Sequence, residues 1–138
     1  MTSIFVDTAG WGNLFDQSEL HHASASSIYR EMRERNSKFI TSNYVITELV
    51  SLLISPLRTP HPKIVTIIEE LQASRYVETV HIDAALHDRS WRLFTARSDK
   101  LWSLVDCSSF AVMQELGLTE ALTTDHHFEQ AGFVRLLK

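Results

Sequence analysis

The sequence predicts an α/β domain with a mostly parallel central sheet, and three observations favour this class. Short apolar runs, too short for helices, alternate along the chain with longer segments of helical periodicity. The runs are apolar throughout, which is typical of strands covered on both faces. Two of them end directly in a carboxylate, at Asp7 and Asp125, and ligands of open α/β sheets gather at such strand ends. No linker or internal repeat divides residues 1–138, so we expect a single domain.

The predicted elements follow from this alternation. Strands are expected at residues 3–6, 38–41, 75–81 and 121–124, the third of them near an edge of the sheet. Helices are expected at residues 11–15 as a single turn, 19–36, 44–55, 61–73, 83–97 and 106–117. Asp83 is expected to cap the fifth of these helices, and Gly117 to end the sixth.

Composition narrows the functions that the chain can have. Its hydrophobic content of 44% and charged content of 22% are those of an ordinary globular protein. The N-terminus lacks the basic start and apolar region of a signal peptide, and a single cysteine, Cys107, cannot form an internal disulfide, so a cytoplasmic location is expected. The net charge of −4 argues against broad adhesion to nucleic acid, but not against a nuclease whose acidic residues bind a metal.

Three aspartates occupy positions that have both a structural and a functional interpretation. Asp7 and Asp125 follow strands, and Asp106 opens a helix. An aspartate at such a position often only caps a helix or closes a turn. Asp106 and Asp125 are nineteen positions apart, about the span of one helix, a loop and a strand. One αβ unit can therefore bring both to the same edge of the sheet.

Glu48 is the most informative acid. It is the only charged side chain between Phe39 and Leu57, in a helix apolar enough to be largely buried. A buried carboxylate is costly unless it is paired, protonated or bound to a metal. Ser51 and Ser55 continue a narrow polar stripe on the same helix face. The alternative is a glutamate that faces solvent from an otherwise buried helix.

Asp7, Glu48, Asp106 and Asp125 can together form one acidic pocket. Carboxylate oxygens suit hard cations such as Mg²⁺ or Mn²⁺. A metal that binds phosphate and activates water implies phosphodiester hydrolysis.

The sequence lacks the motifs that are typical of several other classes of enzyme and metal site. The chain has no Gly-rich phosphate loop, no zinc motif and no serine-hydrolase elbow. Two adjacent pairs, His21 with His22 and His126 with His127, should diverge on a regular element. We interpret them as surface or local hydrogen-bonding residues and not as joint metal sites.

These residues resemble the PIN-domain ribonucleases, above all the VapC-type toxins of prokaryotic toxin–antitoxin pairs. The resemblance covers essentially the whole chain. It lies in the segments IFVDT at residues 4–8, TSNYVITEL at 41–49, SLVDCSSF at 103–110 and LTTDHHF at 122–128, with QAGF at 130–133 also fitting. It implies a PIN-like three-layer α/β/α fold and a metal-dependent endoribonuclease acting as the toxin of a type II pair.

The resemblance also implies roles for the acids. They match the acidic quartet that holds Mg²⁺ or Mn²⁺ in the family. Asp7 and Asp106 would be direct ligands, while Glu48 and Asp125 would complete the site or hold metal-bound water.

Further expectations come from the resemblance alone. Thr8 and Thr124 would orient neighbouring carboxylates. His126 departs from the family pattern, in which arginine is common, and this removes the expectation of a phosphate contact there. The family also implies an RNA substrate, a homodimer and a cognate antitoxin that inserts residues near the site.

Two alternatives to a ribonuclease stay open at this point. A noncatalytic PIN-like module that binds RNA or protein would have the same fold, although such a module is expected to lose acids and all four are present. A structure-specific DNA nuclease of related fold is disfavoured because the chain has no helical arch or DNA-gripping extension.

Overall fold

Five short strands and seven helices make up residues 3–138, the part of the chain that this computed structural model describes. The strands are β1 (Ile4–Val6), β2 (Phe39–Ser42), β3 (Val77–Val80), β4 (Glu120–Leu122) and β5 (Val134–Arg135). The helices are α1 (Thr8–Phe15), α2 (His22–Glu34), α3 (Asn43–Ile54), α4 (His61–Ala73), α5 (Ala84–Ala96), α6 (Leu104–Leu116) and α7 (His127–Gln130). None of these seven helices is long and apolar enough to cross a membrane.

The strands form one sheet in the order β3-β2-β1-β4-β5, and every pairing is parallel. The predicted α/β class is confirmed, and β3 lies at an edge as expected. From β1 the chain first builds one side of the sheet with β2 and β3, and then the other side with β4 and β5. The carboxyl ends of β1 and β4 therefore flank the point where strand order reverses, where open α/β sheets form a crevice.

Several element ends follow from identifiable caps. Asp83 caps α5 by accepting a hydrogen bond from the Leu86 N–H, and Gly117 ends α6 at φ 67°. α1 begins at Thr8, three residues earlier than predicted. The reason is that the Asp7 side chain accepts from the Gly10 N–H and caps the helix, which offsets the low helix propensity of its two glycines.

Aromatic packing holds together α6 and α7, the helices that precede and follow β4 in the chain. Phe110 of α6 is fully buried, and its ring packs edge-on against Trp102 and Phe128, with centroids 5.1 and 5.0 Å away. Phe128 lies in α7, just after β4. The start of α6 and the loop after β4, which carry Asp106 and Asp125, are thus held against one core.

Gly10 lies where α1 approaches β4 too closely for a side chain. A Cβ at this position would lie 2.0 Å from the Leu122 carbonyl oxygen and 2.9 Å from Val6 Cγ1. We expect Gly10→Ala to lower the free energy of unfolding by about 3 kcal/mol, because the backbone of α1 or of β4 has to move to make room for the Cβ. Gly12→Ala is the matched control, since its Cβ would meet only Leu52 Cδ2, at 3.1 Å. Equal urea midpoints for the two variants would contradict this close approach.

Candidate active site

The structure brings all four predicted acids to one cleft at the carboxyl edge of the sheet. The cleft has a volume of about 410 Å³, and it opens where β1 and β4 end. It is lined by Asp7, Thr8, Ala9, Glu48, Ser51, Leu52, Ser55, Asp106 and Asp125.

Asp7 both caps α1 and lines the cleft, so its structural and functional interpretations are compatible. The residue is 7% exposed. Its Oδ1 accepts from the Gly10 N–H at 2.8 Å, and its Oδ2 accepts from the Thr123 hydroxyl at 2.7 Å. Both carboxylate oxygens are therefore held in place, one by α1 and the other by the residue that follows β4.

The negative charge of each acid makes ionisation of the neighbouring acids less favourable. Burial raises the pKa of Asp7 to about 7, and the charges of Asp125 and Asp106 act in the same direction, against the two hydrogen bonds. The pKa of Asp106 is also raised, first by burial, with the charge of Asp125 adding to the effect. A positive charge bound in the cleft would offset both effects.

The prediction that α3 buries Glu48 is wrong. α3 buries its opposite face, through Val45, Ile46, Leu49 and Leu53. Glu48 itself is exposed and lines the cleft, and the Thr8 hydroxyl donates to its Oε1 at 2.5 Å. The cost of burial therefore does not apply to this carboxylate. The polar stripe does hold, because Ser51 and Ser55 line the same cleft.

Asp106 lies in the first turn of α6 and forms a capping box with Ser103. The Ser103 hydroxyl accepts from the Asp106 N–H, and Asp106 Oδ2 accepts from the Ser103 N–H, each at 3.0 Å. Ser103, and not Asp106, is the N-cap residue. Among residues 3–138, no group donates a hydrogen bond to Asp106 Oδ1.

Thr123, and not Thr124, orients a neighbouring carboxylate. Its hydroxyl donates to Asp7 Oδ2 and accepts from the Asp125 N–H at 2.9 Å, and so links two acids. Thr124 instead accepts from Arg135 Nη1 through its carbonyl oxygen. The expectation for Thr124 was wrong, whereas Thr8 does contact a carboxylate, that of Glu48.

Removing the Thr123 hydroxyl should therefore be costly. We expect Thr123→Val to lower the free energy of unfolding by about 1–3 kcal/mol, because Asp7 loses a donor and the Asp125 N–H loses its acceptor. Thr123→Ser keeps the hydroxyl and should recover most of that loss. Urea denaturation at about pH 8, above the pKa of about 7 to which burial raises Asp7, measures the difference. The same stability for the Val and Ser variants would contradict this role of the hydroxyl.

His127 is a candidate functional residue that the sequence interpretation missed. Its Nδ1 lies 3.1 Å from Asp106 Oδ2 and 3.2 Å from Asp125 Oδ1, and its side chain is 19% exposed. His126 is 64% exposed, as expected of a surface residue, with its Nδ1 3.9 Å from Asp125 Oδ1. The sequence carried no signal for His127 beyond its closeness to Asp125.

The histidines also offer a second place for a metal. Asp125, His126 and His127 present ligand atoms within 4.8 Å of one another. The other pair behaves as predicted, since His22 Nδ1 makes a local hydrogen bond to the Asn13 carbonyl at 2.8 Å.

A family model for the PIN domain matches residues 4–134 of this chain. The chain belongs to the PIN-domain family. This PIN domain is 31% identical over 133 residues to the 23S rRNA-specific endonuclease VapC20 of Mycobacterium tuberculosis, strains CDC 1551 / Oshkosh and H37Rv. The match covers 96% of this chain and 97% of VapC20. The predicted VapC-type resemblance is thereby confirmed.

Solved structures agree with the family. The crystal structure of M. tuberculosis VapC20, described as a sarcin–ricin loop cleaving toxin, superposes with a TM-score of 0.87 at 31% identity, over 99% of this chain and 100% of that one. FitAcB from Neisseria gonorrhoeae superposes with a TM-score of 0.61 at 16% identity, over 96% and 94% of the two chains, and shares the fold. The expected PIN-like α/β/α architecture is therefore confirmed.

Proposed function

We propose that this PIN domain is a divalent-metal-dependent endoribonuclease and the toxin of a toxin–antitoxin pair, with Asp7, Glu48, Asp106 and Asp125 as its metal site. The observation that carries the proposal is that four carboxylates from four separate segments line one cleft. The similarity to VapC20 supports RNA as the substrate.

The donor set fits a hard cation such as Mg²⁺ or Mn²⁺. The cleft offers carboxylate oxygens and hydroxyls, which hard cations prefer, and no thiolate. Cys107, next to Asp106, is buried, and this raises the pKa of its thiol to about 11, so it stays protonated. Asp7 and Asp106 would bind the ion directly, and Glu48 and Asp125 would complete the site or hold its water.

The bound ion would supply charge neutralisation at the phosphate and a more acidic water molecule. The chain's own contribution is to hold the carboxylates in place beforehand. The Gly10 N–H and the Thr123 hydroxyl fix Asp7, and the Thr8 hydroxyl fixes Glu48. Without a cation this acidic cleft repels a phosphodiester, so binding of RNA at the cleft requires the metal.

The relatives support a substrate class. The name of VapC20 specifies 23S rRNA as its substrate, and its crystal structure is described as that of a sarcin–ricin loop cleaving toxin. We propose a structured loop of ribosomal RNA as the target here, because sequence-specific proteins recognise the unstacked nucleotides of RNA loops rather than the A-form duplex. A cytoplasmic location, a homodimer and a cognate antitoxin whose residues enter the cleft complete the proposal.

Cleavage of a 23S rRNA hairpin by the purified protein tests this function. We expect cleavage with Mn²⁺ or Mg²⁺, none with EDTA, and none of a DNA hairpin of the same sequence. Asp88→Asn, on the exposed surface of α5, is the matched control for Asp7→Asn and should cleave normally. Cleavage that survives both chelation and Asp7→Asn would rule out the proposed mechanism. Absence of Mn²⁺ binding by calorimetry would instead favour a noncatalytic module.

A further inference from the structure

One imidazole links two of the four acids. His127 Nδ1 lies 3.1 Å from Asp106 Oδ2 and 3.2 Å from Asp125 Oδ1. Ionised carboxylates only accept hydrogen bonds, so the bridging nitrogen carries the hydrogen. Asp106 belongs to α6 and Asp125 follows β4, and this ring is therefore a side-chain connection between two separate elements.

The bridge orients each carboxylate through one oxygen only. Asp125 Oδ1 accepts from the His127 backbone N–H at 2.9 Å and lies beside its ring nitrogen. Asp106 Oδ2 accepts from the Ser103 N–H at 3.0 Å and from the same ring. Asp106 Oδ1 and Asp125 Oδ2 receive no hydrogen bond from any residue between 3 and 138. Each acid thus keeps one anchored oxygen and one free oxygen.

The ring itself is held in place. His127 is the first residue of α7, and the next residue, Phe128, is fully buried against Phe110. A fixed donor between two like charges holds them close together in spite of their repulsion.

We propose that His127 is a positioning residue of the metal site. Its Nδ1–H holds the carboxylates of Asp106 and Asp125 so that their free oxygens can bind one divalent cation. The inference rests on the proposed function. It differs from direct coordination, in which the imidazoles of His126 and His127 and the Asp125 carboxylate would themselves hold the ion.

Mn²⁺ affinity of the full chain, measured by electron paramagnetic resonance of the free ion, tests this role. Loss of a residue that orients metal ligands typically weakens metal binding by about 10–100-fold, and we expect that increase in Kd for His127→Ala. His127→Asn places an amide N–H near the Nδ1 position and should bind within about threefold of the wild type. His126→Ala is the matched control, with an unchanged Kd. Saturating Mn²⁺ should also restore most RNA cleavage by His127→Ala.

The outcomes separate this inference from the proposed function. An unchanged Kd for His127→Ala would overturn the positioning role while the metal-dependent nuclease stands. Weakened binding in His126→Ala together with no rescue by His127→Asn would overturn it in favour of direct coordination. A wild-type chain that binds no Mn²⁺ would overturn both. Should His127→Ala not fold, the comparison of His127→Asn with His127→Gln decides, since the longer side chain displaces the amide from the bridge.

Discussion

We expect Asp7→Asn to lower the rate of RNA cleavage on the order of 10³-fold, because metal catalysis provides several kcal/mol and each tenfold change in rate is about 1.4 kcal/mol. Asp7 is the most buried of the four acids, and it would bind the cation directly. Asparagine has the same shape but no charge, so its amide oxygen binds a hard cation much more weakly than a carboxylate does.

The fold of this variant should survive. Asparagine is as good a helix cap as aspartate, so its side-chain oxygen can still accept from the Gly10 N–H. The Thr123 hydroxyl loses its charged acceptor, but the chain no longer buries a carboxylate. Initial rates on a 23S rRNA hairpin at saturating Mn²⁺ give the measurement, with urea denaturation as the check on folding. A rate within about tenfold of the wild type would show that Asp7 is not a metal ligand.

The second large effect is on stability in the absence of metal. In the unfolded chain Asp7 ionises above its ordinary pKa of 3.8, whereas burial raises its pKa in the folded chain to about 7. Between these values the folded state binds more protons than the unfolded state, so stability falls as pH rises. The loss is complete above about pH 7 and amounts to about 4 kcal/mol at most.

Urea midpoints in EDTA at about pH 5 and about pH 7.5 measure the larger part of this loss, since stability falls throughout that interval. Other groups titrate in the same range, and the wild type must therefore be compared with Asp7→Asn. We expect the wild type to lose more stability over this range than the variant does. Mn²⁺ should restore stability at the higher pH, because it binds only the folded cleft. Equal losses in both chains would contradict a raised pKa for Asp7.

The features that could be predicted from the sequence are those with a local cause. An apolar run that stops at an acid indicates where a buried strand ends, as it does at Asp7 after β1. β4 ends at Leu122, two residues earlier than predicted, but Asp125 still lies in the same cleft as Asp7. Caps are similarly local, as Asp83 and Gly117 show. β5 and α7 were missed because they have two and four residues, too few to show periodicity, and because β5 is partly exposed.

The details that were missed depend on contacts between distant segments. Helix composition cannot reveal that a cleft borders one face of α3, and so Glu48 was expected to be buried. Successive side chains of an extended segment point to opposite sides, so a shift of one position decides whether Thr123 or Thr124 meets Asp7. The bridge from His127 to Asp106 joins residues 21 positions apart, and it exists only because α6 and α7 pack around Phe110.

The position of a bound Mn²⁺ ion decides whether these four carboxylates form a metal centre. Crystals grown with Mn²⁺ and measured for its anomalous signal locate the ion directly. We expect a peak in the cleft, within about 2.5 Å of carboxylate oxygens of Asp7 and Asp106, with Glu48 and Asp125 bound directly or through water. A peak bound by the imidazoles of His126 and His127 but remote from Asp7, or no peak in the cleft at saturating Mn²⁺, would contradict the proposed site.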